Sequence, residues 1–296
     1  MAKRIHRKWN PNLTAWLLLA PALLFLITFT IFPIVRSLYL SLTKYTVTMP
    51  EPQFNRGENY SGLAQDELFW KTMGNTLKLT LMTVIPSMAV GLLMALAVNG
   101  KFRGVGFLRT SFFYPVVLPM IVIASVWNYI FMARQGLLDS LLQSVGLPAM
   151  DVLSGTKVAL PALAVLYVWR EAGYLMIFYL SGLQNIDDQM YDAARIDGAS
   201  NWVLLKRIAL PLLMPTVLFV STIALTDSVT QVDPILMMTN GGPDNSTATL
   251  MFMIYKNGFV YFNQGIASTL TVILLLVMLF IAMLQFVKMD KKIYYN

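Results

Sequence analysis

The sequence contains no cysteine and a single histidine, His6, which lies in a short basic segment at the amino terminus. The lack of cysteine excludes disulfide bonds and thiolate metal sites, and one histidine cannot form a histidine-cluster metal site. Charged residues are also scarce, at 12%, which is about half of their usual share in soluble domains. These absences argue against a metalloenzyme and against a soluble globular domain.

Long apolar runs take the place of the missing charge. Hydrophobic residues make up 57% of the chain, and they lie in blocks of about 20 or more residues, the length that crosses a hydrocarbon core of about 30 Å. The pattern predicts an all-α, polytopic membrane protein with a basic tail at 1–12 and a six-helix transmembrane domain over 13–296. The predicted spans are 13–35, 74–98, 107–132, 158–183, 209–236 and 266–287.

The first span has an alternative interpretation as a secretory signal peptide, because four basic residues precede it between positions 3 and 8. However, the apolar run from Leu13 to Val35 is long for a signal peptide, and no small-x-small cleavage motif follows it. We therefore interpret this segment as a membrane span.

The formal net charge of +7 does not indicate nucleic-acid binding, because the basic residues alternate with the spans and form no single patch. If both termini are cytoplasmic, the inner segments hold more Lys and Arg than the longer outer loops, as the positive-inside rule requires. We therefore expect both termini inside, with an even number of spans between them.

Two adjacent charges, Arg170 and Glu171, fall near the centre of the predicted fourth span. Each costs about 2.5–3.5 kcal/mol on membrane-insertion scales, and sequence neighbours do not face one another on a helix. Two interpretations stay open, namely ion pairs with other helices and groups that face a water-filled pathway. In the second, one helical face combines hydrogen-bonding and aromatic groups suited to sugars: Tyr167, Arg170, Glu171, Tyr174 and Phe178.

The predicted fifth span is unusually polar, and its polar residues cannot all face lipid. They line either a contact with another subunit or the opposite wall of the same cavity. The residues are Thr226, Asp227, Ser228, Thr230, Gln231 and Asp233, of which Asp227, Ser228, Thr230 and Gln231 are our candidates for the pathway.

A short segment between these two spans, at 184–210, is named the elbow here. Asp187 or Asp188 can cap a first short helix, Gly198 suits a left-handed stop, and Pro211 fits the first turn where the chain re-enters the membrane. An elbow this short cannot bury its own apolar side chains. We expect it to pack against its own bundle or to dock on a soluble partner.

The chain lacks a phosphate-binding loop. Its single Gly-Lys pair, Gly100-Lys101, follows Ala95 where such a loop requires glycine and precedes Phe102 where it requires serine or threonine. If transport is powered by a nucleotide, the ATPase is another polypeptide.

The elbow contains a spaced motif that resembles the signature of permease subunits of binding-protein-dependent ABC importers. That signature is Glu-Ala-Ala, three residues, Gly, nine residues and Ile-x-Leu-Pro. The chain matches every spacing and differs in having aspartate for the glutamate. The residues are Asp192, Ala193, Ala194, Gly198, Ile208, Leu210 and Pro211, with Asp197 beside the glycine.

Other segments are similar to the carbohydrate branch of that family, which includes maltose, multiple-sugar and glycerol-3-phosphate permeases. The resemblance covers nearly the whole chain. The matching residues include Asn75-Thr76-Leu77, Arg109, Pro115, Trp127, Gly136, Tyr191, Thr239-Asn240-Gly241-Gly242-Pro243, Tyr255 and Phe259.

The resemblance implies a type I importer permease in a bacterial cytoplasmic (inner) membrane, with no catalytic residue, metal or cofactor of its own. It implies that the elbow is the coupling helix, which fits a groove on an ATPase subunit. The implied partners are a second related permease, two ATP-binding subunits that hold ATP and Mg, an extracytoplasmic solute-binding protein and a carbohydrate. It also places Tyr167, Arg170, Glu171, Tyr174, Ser228, Thr230 and Gln231 beside the sugar.

Two alternatives concern the solute and the class of transporter. Arg170 could favour an acidic or phosphorylated substrate such as glycerol phosphate, or the solute could be another small polar molecule. A secondary transporter is the rival from a different class, although the internal repeats common in such proteins are absent from the sequence.

Overall fold

The structure is a computed structural model that describes residues 11–100 and 102–290, with side chains described between 15 and 287. The predicted basic tail lies almost entirely outside the described residues, as do Lys101, Lys291 and Lys292. The cytoplasmic placement of both termini therefore stays a prediction.

The first span is a continuous apolar helix that is exposed over most of its length and packs against the last span near its end. It consists of α1 (Pro11–Leu26), a π-helical segment (Ile27–Ile31) and α2 (Phe32–Ser41). The part of this helix long and apolar enough to span a membrane, Ala15–Ser41, ends six residues after the predicted span 13–35. Its apolar stretch is not buried by the described part of the chain. A two-residue antiparallel ribbon follows, with β1 (Thr43–Lys44) paired to β2 (Gln53–Phe54).

The centre of the bundle is the pair of helices α4 (Glu67–Val98) and α8 (Ala159–Gln184), which share the most extensive helix–helix interface. The short helix α3 (Glu58–Gln65) precedes α4, and Asp66 caps α4 by accepting a hydrogen bond from Leu68 N at 2.9 Å. Arg109 closes the other end of α4, since its guanidinium donates to the Val98 carbonyl at 2.8 and 3.2 Å. These contacts pair backbone groups that a helix end leaves free.

The predicted third span, 107–132, is not one straight helix. It is divided into α5 (Val105–Val117) and α6 (Met120–Ile130), whose axes differ by 97° across Leu118 and Pro119. Proline has no N–H and forces the residue before it out of helical geometry, and Leu118 is extended with ψ of 140°.

The predicted fifth span, 209–236, is likewise bent, by 69° at Leu213. Before the bend the chain forms α10 (Asn201–Leu204), a π-helical segment (Leu205–Ala209) and α11 (Leu210–Leu212). After it come α12 (Met214–Thr230) and a second π-helical segment (Ile235–Thr239). Together the described residues provide four straight helices long and apolar enough to cross a membrane, and six spans if each bent pair counts as one.

The remaining elements lie in the loops and at the end of the chain. They are α7 (Leu137–Ser144), α9 (Asp188–Ile196), α13 (Leu250–Tyr255) with a π-helical segment (Lys256–Val260), and the last span α14 (Gln264–Asp290). Buried Asp139 of α7 organises its loop by accepting the backbone N–H groups of Met150, at 2.8 Å, and of Arg134. These two hydrogen bonds lower the pKa of the Asp139 carboxyl.

Small residues allow the central helices to approach closely. A Cβ atom added at Gly91 of α4 would lie 2.9 Å from the Ala172 carbonyl oxygen and 3.2 Å from the Leu175 Cβ of α8. Helices in lipid gain much of their association from such close packing, because lipid is as apolar as the helix surface.

We expect Gly91→Ala to lower the free energy of unfolding by about 1–3 kcal/mol, because the added methyl group overpacks the α4–α8 interface. Gly74→Ala is the matched control, since an added Cβ on the same helix meets nothing within 4 Å. Thermal unfolding of the purified variants in detergent measures the difference, and equal melting temperatures for the two would contradict the packing argument.

Candidate functional site

A small polar cavity lies where α4, α8 and α12 meet, deep within the apolar bundle. Its volume is about 10 Å³, which is close to the space of one water molecule. The residues that line it are Thr83, Val84, Ser87, Met120, Tyr167, Arg170, Glu171, Ala224, Asp227, Ser228 and Gln231.

Three polar atoms of this cavity are buried without a hydrogen-bond partner among the described residues: Ser87 Oγ, Arg170 Nε and Glu171 Oε1. Leaving a buried polar group unpaired costs about 1–3 kcal/mol, and more for a charged one. Native interiors therefore contain few such groups, and a cluster of them indicates a functional site.

The cavity also gathers charges that do not form salt bridges. Arg170 and Glu171 of α8 share it with Asp227 of α12. Within the part of the chain that the structure describes, the salt bridges are Lys71–Asp244 and Arg195–Asp192. Of the two interpretations of Arg170 and Glu171, the geometry favours groups that face a cavity over paired ions that hold helices together.

Six of the eight residues predicted for the substrate pathway line this cavity: Tyr167, Arg170, Glu171, Asp227, Ser228 and Gln231. Tyr167 also connects two walls, because its hydroxyl donates to the Gln231 carbonyl at 3.4 Å.

The other two predicted pathway residues lie outside the cavity. Tyr174 packs its ring edge-on against Phe178, with centroids 5.1 Å apart, inside a hydrophobic cluster. Thr230 is exposed, and its hydroxyl donates to the Thr226 carbonyl at 2.8 Å. The predicted aromatic face of α8 is therefore divided, with Tyr167 at the cavity and Tyr174 in apolar packing.

The wall that α4 contributes was missed by the sequence reasoning. Thr83 and Ser87 line the cavity, and both are buried. A signal for them exists, because small polar residues recur three or four positions apart along one face of this apolar span. The stripe comprises Thr72, Thr76, Thr80, Thr83 and Ser87, all of them buried.

The elbow forms two short helices around a left-handed glycine, as predicted. Asp187 caps α9 by accepting from Gln189 N at 2.9 Å. Gly198 has φ of +81°, its N–H donates to the Arg195 carbonyl, and the Ala199 N–H donates to the Ala194 carbonyl. This hydrogen-bond pair is the Schellman stop, in which a left-handed residue closes the helix.

The elbow leaves its signature residues and several apolar side chains exposed. Ile196 is 87% and Trp202 is 67% exposed, so the chain's own bundle does not cover them. Asp192, Ala193, Asp197 and Gly198 are exposed as well, while Ala194 and the residues at the base of the elbow, Ile208, Leu210 and Pro211, are half-buried. Tyr191, on α9, is half-buried. The pKa of its hydroxyl is raised mainly by this burial and also by the neighbouring charge of Asp188.

At the opposite end of the bundle, α4 holds the loop that follows the fifth span. Lys71 Nζ pairs with Asp244 Oδ2 at 2.9 Å. Asn75 Nδ2 donates to the carbonyls of Asn245 and Ala248 at 2.9 and 3.0 Å, and the Thr76 hydroxyl accepts from Leu250 N at 2.9 Å. Through these contacts Asn75 and Thr76 of α4 hold the loop that contains the Gly-Gly-Pro sequence.

The sequence matches a family described as the binding-protein-dependent transport system inner membrane component, over residues 87–293. The chain belongs to this family. As a permease of that family it is a multi-pass inner-membrane transport subunit, and ATP hydrolysis belongs to a separate subunit. Transport by family members depends on a binding protein, as the description states.

Relatives of the permease match it along almost the whole length. The multiple sugar-binding transport system permease protein of Streptococcus mutans is 30% identical over an alignment of 301 positions, which covers 98% of this chain and 98% of that protein. The sn-glycerol-3-phosphate transport system permease protein of Agrobacterium fabrum is 30% identical over 294 residues, or 97% and 98% of the two chains.

The fold of the permease is that of a solved bacterial ABC transporter involved in the import of the acidic polysaccharide alginate. The TM-score is 0.82 at 21% identity, and the match covers 95% of this chain and 96% of that chain. At this identity the similarity establishes the type I importer permease fold.

We expect Asn75→Ala to destabilise the permease by about 1–3 kcal/mol, because two loop carbonyls lose their donor. Thermal unfolding and limited proteolysis of the 240–248 loop measure the effect. Leu77→Ala is the control on the same helix, since Leu77 is exposed. Equal cleavage of the loop in both variants would contradict the conclusion that Asn75 holds this loop.

Proposed function

We propose that the chain is one permease half of an ATP-driven importer that moves a carbohydrate, in particular an oligosaccharide, across the inner membrane. The observation that carries this proposal is the polar cavity inside the bundle, which α8 joins directly to the exposed elbow. Cavity residues Arg170 and Glu171 lie on α8, and the elbow begins where α8 ends at Gln184. The far end of the elbow leads into α12, which carries Asp227 and is followed directly by Gln231.

Carbohydrate as the solute is supported by the chemistry of the cavity and by the relatives. Hydroxyl, amide, carboxylate and guanidinium groups supply the donors and acceptors that sugar hydroxyls require. The multiple-sugar permease of Streptococcus mutans is similar along the whole chain.

The mechanism we propose is alternating access. Two ATP-binding subunits, which hold the ATP and Mg, dock on the elbows of this chain and of a second related permease. Their closure moves the elbows together, and an extracytoplasmic solute-binding protein delivers the sugar to the outward-facing cavity. In the described conformation the cavity is too small for a sugar, so the walls formed by α4, α8 and α12 must separate during the cycle.

A permease for glycerol phosphate is the second candidate. It is favoured by the similarity to the sn-glycerol-3-phosphate permease of Agrobacterium fabrum and by the presence of Arg170 in the cavity. A secondary transporter is disfavoured by membership of a family whose transport depends on a binding protein.

Gly198→Asp is expected to abolish co-purification of the ATP-hydrolysing subunits with a tagged permease, because it strains the left-handed turn and places a charge on the exposed elbow. Gly146→Asp is the matched control, since Gly146 is also left-handed, with φ of +75°, but lies in the loop beyond α7. Undiminished co-purification and ATP hydrolysis with Gly198→Asp would overturn the assignment of the elbow.

Gln231→Ala is expected to raise the KM for sugar uptake by about tenfold, equivalent to the loss of about 1.4 kcal/mol of binding. Thr222→Ala on α12, the helix that directly precedes Gln231, is the control, because the Thr222 hydroxyl donates to its own helix at Leu218 O. Uptake by proteoliposomes that contain the complete importer measures both. An unchanged KM for Gln231→Ala would remove this residue from the pathway.

A further inference from the structure

The cavity between α4, α8 and α12 combines one cationic side chain with two acidic ones. Arg170 shares the cavity with Glu171 of its own helix and with Asp227 of α12. A site built for a phosphate, sulfonate or carboxylate surrounds the anion with donors, often with a bidentate arginine. Here a negatively charged solute that approaches Arg170 also meets Glu171 and Asp227, and like charges in contact strongly disfavour binding.

The partnerless atoms of the cavity require both donors and acceptors. Arg170 Nε can only donate, and an ionised Glu171 Oε1 can only accept. A phosphate or a carboxylate offers acceptors alone and leaves the Glu171 oxygen unpaired. A sugar hydroxyl donates and accepts at the same time, so it can satisfy both atoms.

Ser87 supplies the third partnerless group, and its hydroxyl does not return to its own helix. Serine and threonine hydroxyls within membrane helices commonly bond to the carbonyl three or four residues earlier. Three threonines of α4 do so, each at 2.8 Å: Thr72 bonds to Phe69 O, Thr76 to Thr72 O and Thr83 to Leu79 O. Ser87 is 0% exposed and lines the cavity, yet its oxygen bonds to no described group.

We propose that this cavity binds an uncharged, hydroxyl-bearing solute and rejects anionic ones, with Ser87 of α4 as a recognition residue opposite Arg170 and Glu171. The inference rests on the proposed function. It adds that the solute is uncharged and that α4, through Ser87, contributes to solute recognition alongside α8 and α12. It reverses the expectation that Arg170 favours acidic substrates, because the carboxylates beside it oppose an anion.

The test measures uptake by proteoliposomes that hold the complete importer with its solute-binding protein, using matched probes. The pairs are glucose with glucuronate, galactose with galacturonate, and glycerol with sn-glycerol 3-phosphate, with an oligosaccharide series for the neutral class. The affinity of the binding protein for each probe is measured separately, so that the selectivity of delivery is separated from that of the permease.

The expected result is uptake of neutral probes only. The double variant Glu171→Gln, Asp227→Asn should raise the ratio of anionic to neutral uptake at least tenfold. Ser87→Ala should lower neutral uptake about tenfold, which corresponds to about 1.4 kcal/mol, with the assembled complex and its basal ATP hydrolysis intact. Ser125→Ala is the matched control, because the Ser125 hydroxyl donates to its own helix at Ile121 O and Ser125 is not a cavity residue.

Three outcomes would overturn the inference: preferred uptake of an anionic probe, an unchanged ratio in the double variant, or full neutral uptake with Ser87→Ala. In each of these the importer still works, so the proposed function survives. Failure of every probe, charged or neutral, together with loss of the ATP-hydrolysing partner, would instead refute the proposed function.

Discussion

A bilayer contains no water to satisfy a polar group, and this constraint shapes every part of the permease. Polar side chains within the spans must either bond to the protein or face a protected cavity. Most of them bond locally, as Thr76 and Thr83 do with their own helix. The groups left over, Ser87 Oγ, Arg170 Nε and Glu171 Oε1, are gathered in one small cavity. Their concentration at one point is the observation that supports the proposed solute site.

Much of the fold could be predicted from the sequence, because the same constraint requires long apolar runs wherever the chain crosses the bilayer. The straight helices α4, α8 and α14 correspond closely to predicted spans. The bend at Pro119 was less accessible, since hydropathy reports the length of an apolar run and not the direction of its axis. Proline indicates where a helix can break, but the 97° angle is set by the packing of α5 and α6 on other helices.

The candidate site was predictable in its charges and less so in its boundaries. Arg170, Glu171 and Asp227 were visible because charges within an apolar run are rare. Tyr174 lies outside the small cavity of the described conformation and packs its ring against Phe178, one turn further along α8. Its place in the pathway stays a prediction. Ser87 was missed because a single hydroxyl adds little free-energy cost to a membrane helix. Only its lack of a hydrogen-bond partner in the structure distinguishes it.

The elbow and the cavity are mechanically connected by close packing. An added Cβ at Gly182, near the end of α8, would lie 2.6 Å from the Thr216 hydroxyl and 2.8 Å from the Leu213 side chain. The helices on either side of the elbow are therefore packed too tightly at its base to slide independently. At its other end α12 stops at Thr230, and non-helical residues precede the next helical segment.

The close packing of α8 and α12 at the elbow and the end of α12 at Thr230 have different consequences for movement. In the proposed cycle, force applied at the elbow would move the bases of α8 and α12 together, because the two helices are in close contact at Gly182. The break after Thr230 leaves the outer part of the chain free to follow a different path. Gln231 lies at this break and lines the cavity. In the proposed cycle, a rigid-body rotation that begins at the elbow would therefore separate the cavity walls at this point.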